Sequence, residues 1–376
     1  MIELQSDELI FAFPELLDQL RTKVHVWVDD RLESATNDEK NLLPSSREEV
    51  HRTFAECLPR VSSAVSFQRT LRLPDTGKDY AVPLGMGRFP LYPVDVFAGV
   101  PESWRQRGGI MMPLHKTEAM WLSFYADYPM ALRIGGGGRC AVTGGPWVPG
   151  LVASPQNYVI LGSQPWLDGF HVGPVEVRQF AAQPQGQGLL SAHALSGEER
   201  WGGLQLQACP LQPDEFWRQI LRDALSQRWD ELMTPVAFRP LRQTAVSSGA
   251  AEWTTKTNGK LRLKILEDPY GLRKWDSTHS SRCFAHLCLA EDWQRLTGIR
   301  PPQLPPTMAD YRAAGVSLAD LEGNESDNGG DSILSELLAE GASRSRSPFS
   351  GSNPPQGTGR IVFRLNPDLR QHVREF

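Results

Sequence analysis

The chain has 376 residues, 40% of them apolar, with 39 basic and 44 acidic side chains and a net charge of −5. Neither the total nor the distribution of charge has the basic bias of a nucleic-acid binder, and no run approaches the ~20 apolar residues that cross a bilayer. The 33 glycines and 29 prolines favour many turns, and so strands over long helices.

The first residues, MIELQSDELIFAF, place Glu3, Asp7 and Glu8 where a secretory leader carries positive charge, so no signal peptide is expected. Five cysteines, an odd and scattered set, suit a reducing compartment, and the expectation is a cytoplasmic protein. Residues 1–60 read as a helical unit. Pro14 suits a first helical turn, and Leu17, Leu20, Val24, Trp27 and Val28 then recur at three- and four-residue steps. Ser46 with Glu49 forms a capping-box pattern before a further short helix.

Near Val61 the period changes to two. A β-rich body is expected over 61–320, with strands in VSSAVSFQRTLRL, AMWLSFYA, MALRI, RCAVTG, NYVILG, VEVRQFAA and GLQLQAC. A helix is inserted near 214–232, with Asp214 placed to cap it. Asn258-Gly259 marks a hairpin, and CFAHLCL with AEDWQRLTG gives a short strand and a short helix. Residues 321–359 have the composition of a disordered linker, and 360–376 of a strand segment that either returns to its own sheet or joins another chain. The fold class expected is α+β and β-dominated, an antiparallel sandwich or barrel-like body behind an N-terminal helical unit.

The run ALRIGGGGRCAVTGGPW raises phosphate binding. A phosphate cradle needs a helix after its glycines, and RCAVTGGPW cannot start one, so the run reads as a turn between strands. His279, Cys283, His286 and Cys288 suggest zinc, yet strand alternation sends Cys283 to the opposite face from His286 and Cys288. Cys140 has a charged neighbour in Arg139, but adjacent strand residues point apart. There is no G-x-S-x-G elbow, and Asp127, Asp168, Glu176 and Asp268 are too scattered to pair by sequence alone. No catalytic residue, metal or cofactor is expected. Tryptophans are the remaining signal. Trp147, Trp166 and Asp168 could bind a sugar or other ligand by stacking and hydrogen bonding, against the ordinary reading that tryptophans fill the core.

By AMWLSFYADYPMALRI, AVTGGPW, NYVILGSQPWLDGF and VRQFAAQP the chain resembles a family of uncharacterised proteins associated with bacteria and fungi, over about residues 113–315. The resemblance implies a common β-rich body with added ends, and brings no catalytic residues. The leading functional expectation is a protein-binding or assembly protein without catalytic activity, its partner or second copy engaged through 321–376. The alternatives are a ligand- or carbohydrate-binding β domain using loop tryptophans, and an enzyme whose site is assembled from distant loops.

Overall fold

A computed structural model describes residues 1–5, 7–44, 46–72, 85–171, 177–181, 203–233, 265–302, 304–305, 307–313 and 363–364. The chain opens with two strands, β1 (Ile2–Gln5) and β2 (Glu8–Ala12), where a helix was expected. Leu9, Phe11 and Phe13 are buried while Glu8, Ile10 and Ala12 between them are partly exposed. That period of two is the strand's. Helices begin after Pro14: α1 (Leu17–Ser34), α2 (Asn37–Leu42) and α3 (Arg47–Ala55). Ser46 caps α3 by accepting from the Glu49 amide at 3.1 Å, and Thr36 with Glu39 closes a capping box on α2.

The body continues through β3 (Ser62–Leu71), β4 (Tyr92–Pro93), α4 (Glu102–Arg107), β5 (Ile110–Leu114), β6 (Glu118–Ala126), β7 (Met130–Gly136) and β8 (Arg139–Cys140). Then come β9 (Val159–Leu161), β10 (Trp166–Leu167), β11 (Gly169–His171), β12 (Val177–Gln179) and β13 (Leu204–Pro210). The inserted helix follows as α5 (Pro213–Phe216), a wider π turn over Trp217–Leu221, and α6 (Arg222–Met233). Pro213 opens it, so Asp214 sits inside the first turn rather than capping it, and pairs with Lys23 of α1 at 2.5 Å. Last are β14 (Ser281–Leu289), α7 (Ala290–Thr297), α8 (Met308–Ala313) and β15 (Phe363–Arg364).

The strands form a six-stranded sheet in the order β10-β6-β3-β2-β1-β15, a seven-stranded sheet β4-β5-β14-β13-β7-β8 with β9 also on β7, and the pair β11-β12. The architecture is α+β and sandwich-like, with no closed barrel among the described residues. It is not wholly antiparallel, because β14 runs parallel to β5, with Ala285 opposite Ile110. Val65, Phe67 and Leu122 of one sheet and Leu132, Ile134 and Leu206 of the other share a single buried core.

That core also takes in Leu20, Val24, Trp27 and Phe54 of the first helices. Trp27, Phe54 and Trp229 of α6 meet ring to ring at 5.4–6.0 Å, so the helical segment and the β-rich body bury their apolar faces together. A smaller core of Val94, Phe97, Val100, Met111, Cys288 and Trp293 lies on the far side of the seven-stranded sheet.

The four glycines are a turn. Gly135 and Gly136 end β7, Gly136 pairs with Arg139, and Gly137 and Gly138 between them carry φ of 57° and 73°. Two consecutive left-handed residues are what a tight primed hairpin turn requires. The C-terminal strand returns to its own chain, with Phe363 opposite Leu4 on β1. Asn258-Gly259, Glu176 and 321–359 lie outside the described residues.

Candidate functional site

Alternation along β7, β13 and β14 sends Leu132, Ile134, Leu206, Cys283 and Ala285 into the main core. Their neighbours point to the opposite face of the sheet: Arg133 and Gly135 on β7, Gln205 and Gln207 on β13, and Arg282, Phe284 and His286 on β14. Register sets them in rows. Gln205 lies between Gly135 and Phe284, and Gln207 between Arg133 and Arg282. Polar residues at this period ordinarily face water. Here Gln205 is 0% exposed and Arg133 only 2%.

Gly135 makes room for Trp147. A side chain at 135 would start 2.6 Å from the indole Cζ3 and 2.7 Å from the Arg139 carbonyl oxygen. The Arg133 guanidinium stands 3.9 Å from the indole ring centre, a cation–π contact. Arg133 also donates to the Gln207 side-chain oxygen at 2.7 Å and to the Val148 carbonyl. The Trp147 amide donates to the Gly138 carbonyl at 2.8 Å. One guanidinium therefore ties the loop between β8 and β9 to the sheet.

Beside this anchor the Gln205 amide is buried, and neither its nitrogen nor its oxygen has a hydrogen-bond partner among the described residues. Across Phe284 lies His286, also buried. Its Nε2 is 3.0 Å from the Gly108 carbonyl oxygen, which can only accept, so Nε2 carries the proton and Nδ1 is an acceptor. Nδ1 has no partner among the described residues. The Trp104 indole stacks on the imidazole at 4.6 Å, and the Arg107 guanidinium lies 5.6 Å from the Phe284 ring centre. Burial pulls the His286 pKa down to about 4, with the Arg107 charge adding to the effect, so the ring is neutral at pH 7. Burial likewise lowers Arg107 to about 10. The result is a continuous strip, Trp104–His286–Phe284–Gln205–Trp147–Arg133, of flat rings and guanidiniums around unsatisfied amide and imidazole atoms.

Of the residues singled out in the sequence, Trp147, read as a ligand-binding residue, and His286, read as a possible zinc ligand, belong to this strip. Trp166 lies on an edge strand rather than a loop, 6% exposed, and is paired with Ser123 on β6. Its neighbours Leu167 and Leu122 enter the main core, so its ring takes the outer face of the six-stranded sheet. Asp168 is buried between β10 and β11. Trp147 and Trp166 thus stand on different sheets. Arg133 and Gln205 were not singled out, although the alternation in MALRI and GLQLQAC was visible, and His286 was singled out only as a possible zinc ligand.

The other candidates resolve into local structure. Cys283 joins the main core, while Cys288 joins the smaller core on the face that His286 shares. Burial pushes the thiols of both up to about 12, which suppresses the thiolate. Cys140 is buried, and its thiol donates to the Asn157 carbonyl at 3.4 Å. Among the described residues no three His, Cys, Asp or Glu side chains are grouped to hold a metal. Asp276 accepts from the Thr278 and His279 amides and contacts His279 Nδ1 at 2.7 Å, which closes a turn before β14. Asp268 accepts from the Tyr158 hydroxyl at 2.6 Å and the Trp275 indole at 2.8 Å, and so clasps its segment against β9.

Fold and strip together define an α+β, sandwich-like protein with a buried polar and aromatic face. Comparison with protein-family models, with curated proteins and with solved structures found no match to this chain.

Proposed function

We propose that the protein binds a small molecule, without catalysis, on the outer face of its seven-stranded sheet. The observation that carries this reading is the Gln205 amide, fully buried with both polar atoms unpaired among the described residues. Leaving such a group unsatisfied costs about 1–3 kcal/mol, and a bound ligand removes that cost. The Arg133 guanidinium and the Phe284 ring around it are groups that fix a polar ligand's orientation in a mostly apolar site. An assembly role would have drawn on residues 321–376. Of that segment the structure describes Phe363–Arg364, which pair with β1; the buried Gln205 amide is what favours ligand binding.

The test is native mass spectrometry of wild-type protein and Gln205→Leu, both purified gently from the original host. The expected result is a small added mass on the wild type that Gln205→Leu lacks while still melting cooperatively. Identical spectra for the two, bare or loaded, would overturn the reading.

A further inference from the structure

The indole of Trp147 meets its surroundings in two ways. One face lies against the Arg133 guanidinium at 3.9 Å. Its edge carbons Cε3 and Cζ3 lie over Gly135, whose cross-strand partner is Gln205. That edge is hydrocarbon and offers neither a donor nor an acceptor, and the Gln205 amide across from Gly135 has no partner among the described residues. A ring of similar shape with a donor and an acceptor side by side on that edge would satisfy both Gln205 atoms. Glutamine makes this bidentate contact with the nitrogen edge of adenine. The ring would keep the guanidinium stacking that arginine makes with any flat π system.

The loop that carries Trp147 lies at the surface. Pro146, Val148, Pro149 and Gly150 are exposed. Gly144 and Gly150 both hold φ of 72°, a conformation in which glycine is free to pivot. The loop's ties to the sheet and to the segment before β9 include the Trp147 amide to Gly138, the Cys140 amide to the Gly145 carbonyl at 2.9 Å, the Asn157 side-chain amide to the Gly150 carbonyl at 3.1 Å, Arg139 to the Gly144 carbonyl at 2.7 Å, and Arg133 to the Val148 carbonyl. The last tie comes from the guanidinium on which a ligand would stack.

Resting on the binding reading above, we infer that Trp147 occupies the ligand's own place, and that the ligand is a flat nitrogen heterocycle of the nucleobase kind, held by Gln205 at its edge and Arg133 at its face. Trp147 is then a built-in competitor. It keeps the site closed when no ligand is present and lowers apparent affinity by the fraction of time it is in place.

The experiment is calorimetric titration of full-length wild type, Trp147→Ala and Trp147→Ala/Gln205→Leu. The probes are adenine and guanine, as free bases and as 5′-monophosphates, with glucose as a non-planar control. The inference expects at least one purine to bind Trp147→Ala tenfold or more tighter than wild type, and the Gln205→Leu change to remove that binding. Base and monophosphate of equal affinity would identify the ring alone as the ligand; a preference for the monophosphate would identify a nucleotide. If Trp147→Ala does not melt cooperatively, Trp147→Phe carries the same test with a smaller gain. No Gln205-dependent purine binding to an open-site variant overturns the inference. In that event a host-derived mass lost in Gln205→Leu would still stand for binding, of another class of ligand.

Discussion

Trp147 rests where the side chain of residue 135 would be, and Gly135 is what allows it: a Cβ there would lie 2.6 Å from the indole Cζ3. Gly135→Ala should therefore destabilise the protein by about 1–3 kcal/mol through overpacking. Adding Trp147→Ala to it should recover part of that loss, because the two changes share one collision. Urea midpoints of the two single variants and the double variant give the coupling directly. Purely additive losses would place the indole elsewhere in solution.

Gln205→Leu replaces a buried amide, without a partner among the described residues, by an apolar side chain of similar volume. In ligand-free protein the exchange should raise stability by about 1–2 kcal/mol, since the desolvation cost of the amide disappears. Thermal unfolding of stripped wild type and variant is the check, and a lower midpoint for Gln205→Leu would mean that the amide is satisfied.

His286 makes stability depend on pH with a definite sign. Its folded pKa of about 4 lies below the ordinary value of 6.5. Above pH 6.5 the ring is neutral in both states and contributes no slope. As pH falls from 6.5 towards 4 the unfolded chain takes up a proton that the folded chain refuses, so stability drops, and the loss levels off below about 4. Between pH 7 and 5 the drop should be about 2 kcal/mol. His286→Phe, which keeps a ring against Trp104, should flatten that part of the profile in denaturant titrations.

Arg69 and Glu118 form a buried ion pair. The guanidinium gives Glu118 two hydrogen bonds at 2.9 and 2.5 Å, and the His115 amide donates to the other carboxylate oxygen at 2.9 Å. Their side chains are 9% and 1% exposed. Arg69→Met or Glu118→Leu alone should cost about 3–5 kcal/mol by stranding the remaining charge, and the double change should cost less than either. Equal or greater loss in the double variant would point to packing instead of charge.

Asp268 is a clasp. It accepts from Tyr158, Trp275 and the Tyr270 amide, and burial together with Asp268 pushes the Tyr158 hydroxyl well above its ordinary pKa. Asp268→Ala strands two buried donors and should cost about 2–4 kcal/mol. Asp268→Asn, which keeps one acceptor, should cost less. Hydrogen exchange in the Val159–Leu161 strand should accelerate in the same order.

Patterns with a short period were legible in the sequence. The three- and four-residue recurrence from Leu17 to Val28 specifies a helix because those side chains share one face. The alternation in SFQRTLRL, MALRI, GLQLQAC and CFAHLCL specifies strands. The glycine run could only be a turn, because the residues after Gly138 cannot open a helix. The opening hairpin was misread because ELIFAF is short and nearly all apolar, so its period of two is hidden until one face is buried. IMMPL was not among the strands expected: it is apolar throughout and shows no alternation, and its parallel partner, β14, follows far later in the chain.

The site needed the tertiary structure. Alternation in GLQLQAC says that Gln205 and Gln207 share a face, and it suggests that this face is wet. Only the register that sets Gln205 between Gly135 and Phe284, and the return of Trp147 over Gly135, make it a buried one. Those contacts join β7, β13, β14 and a loop, and no local periodicity encodes which strands become neighbours. The sequence by itself determined most helices, the alternating strands and the turn at Gly137-Gly138, because these depend on backbone preference and the spacing of apolar side chains. The tertiary structure decided which polar residues lost their water, because burial depends on what packs across a strand and not along it.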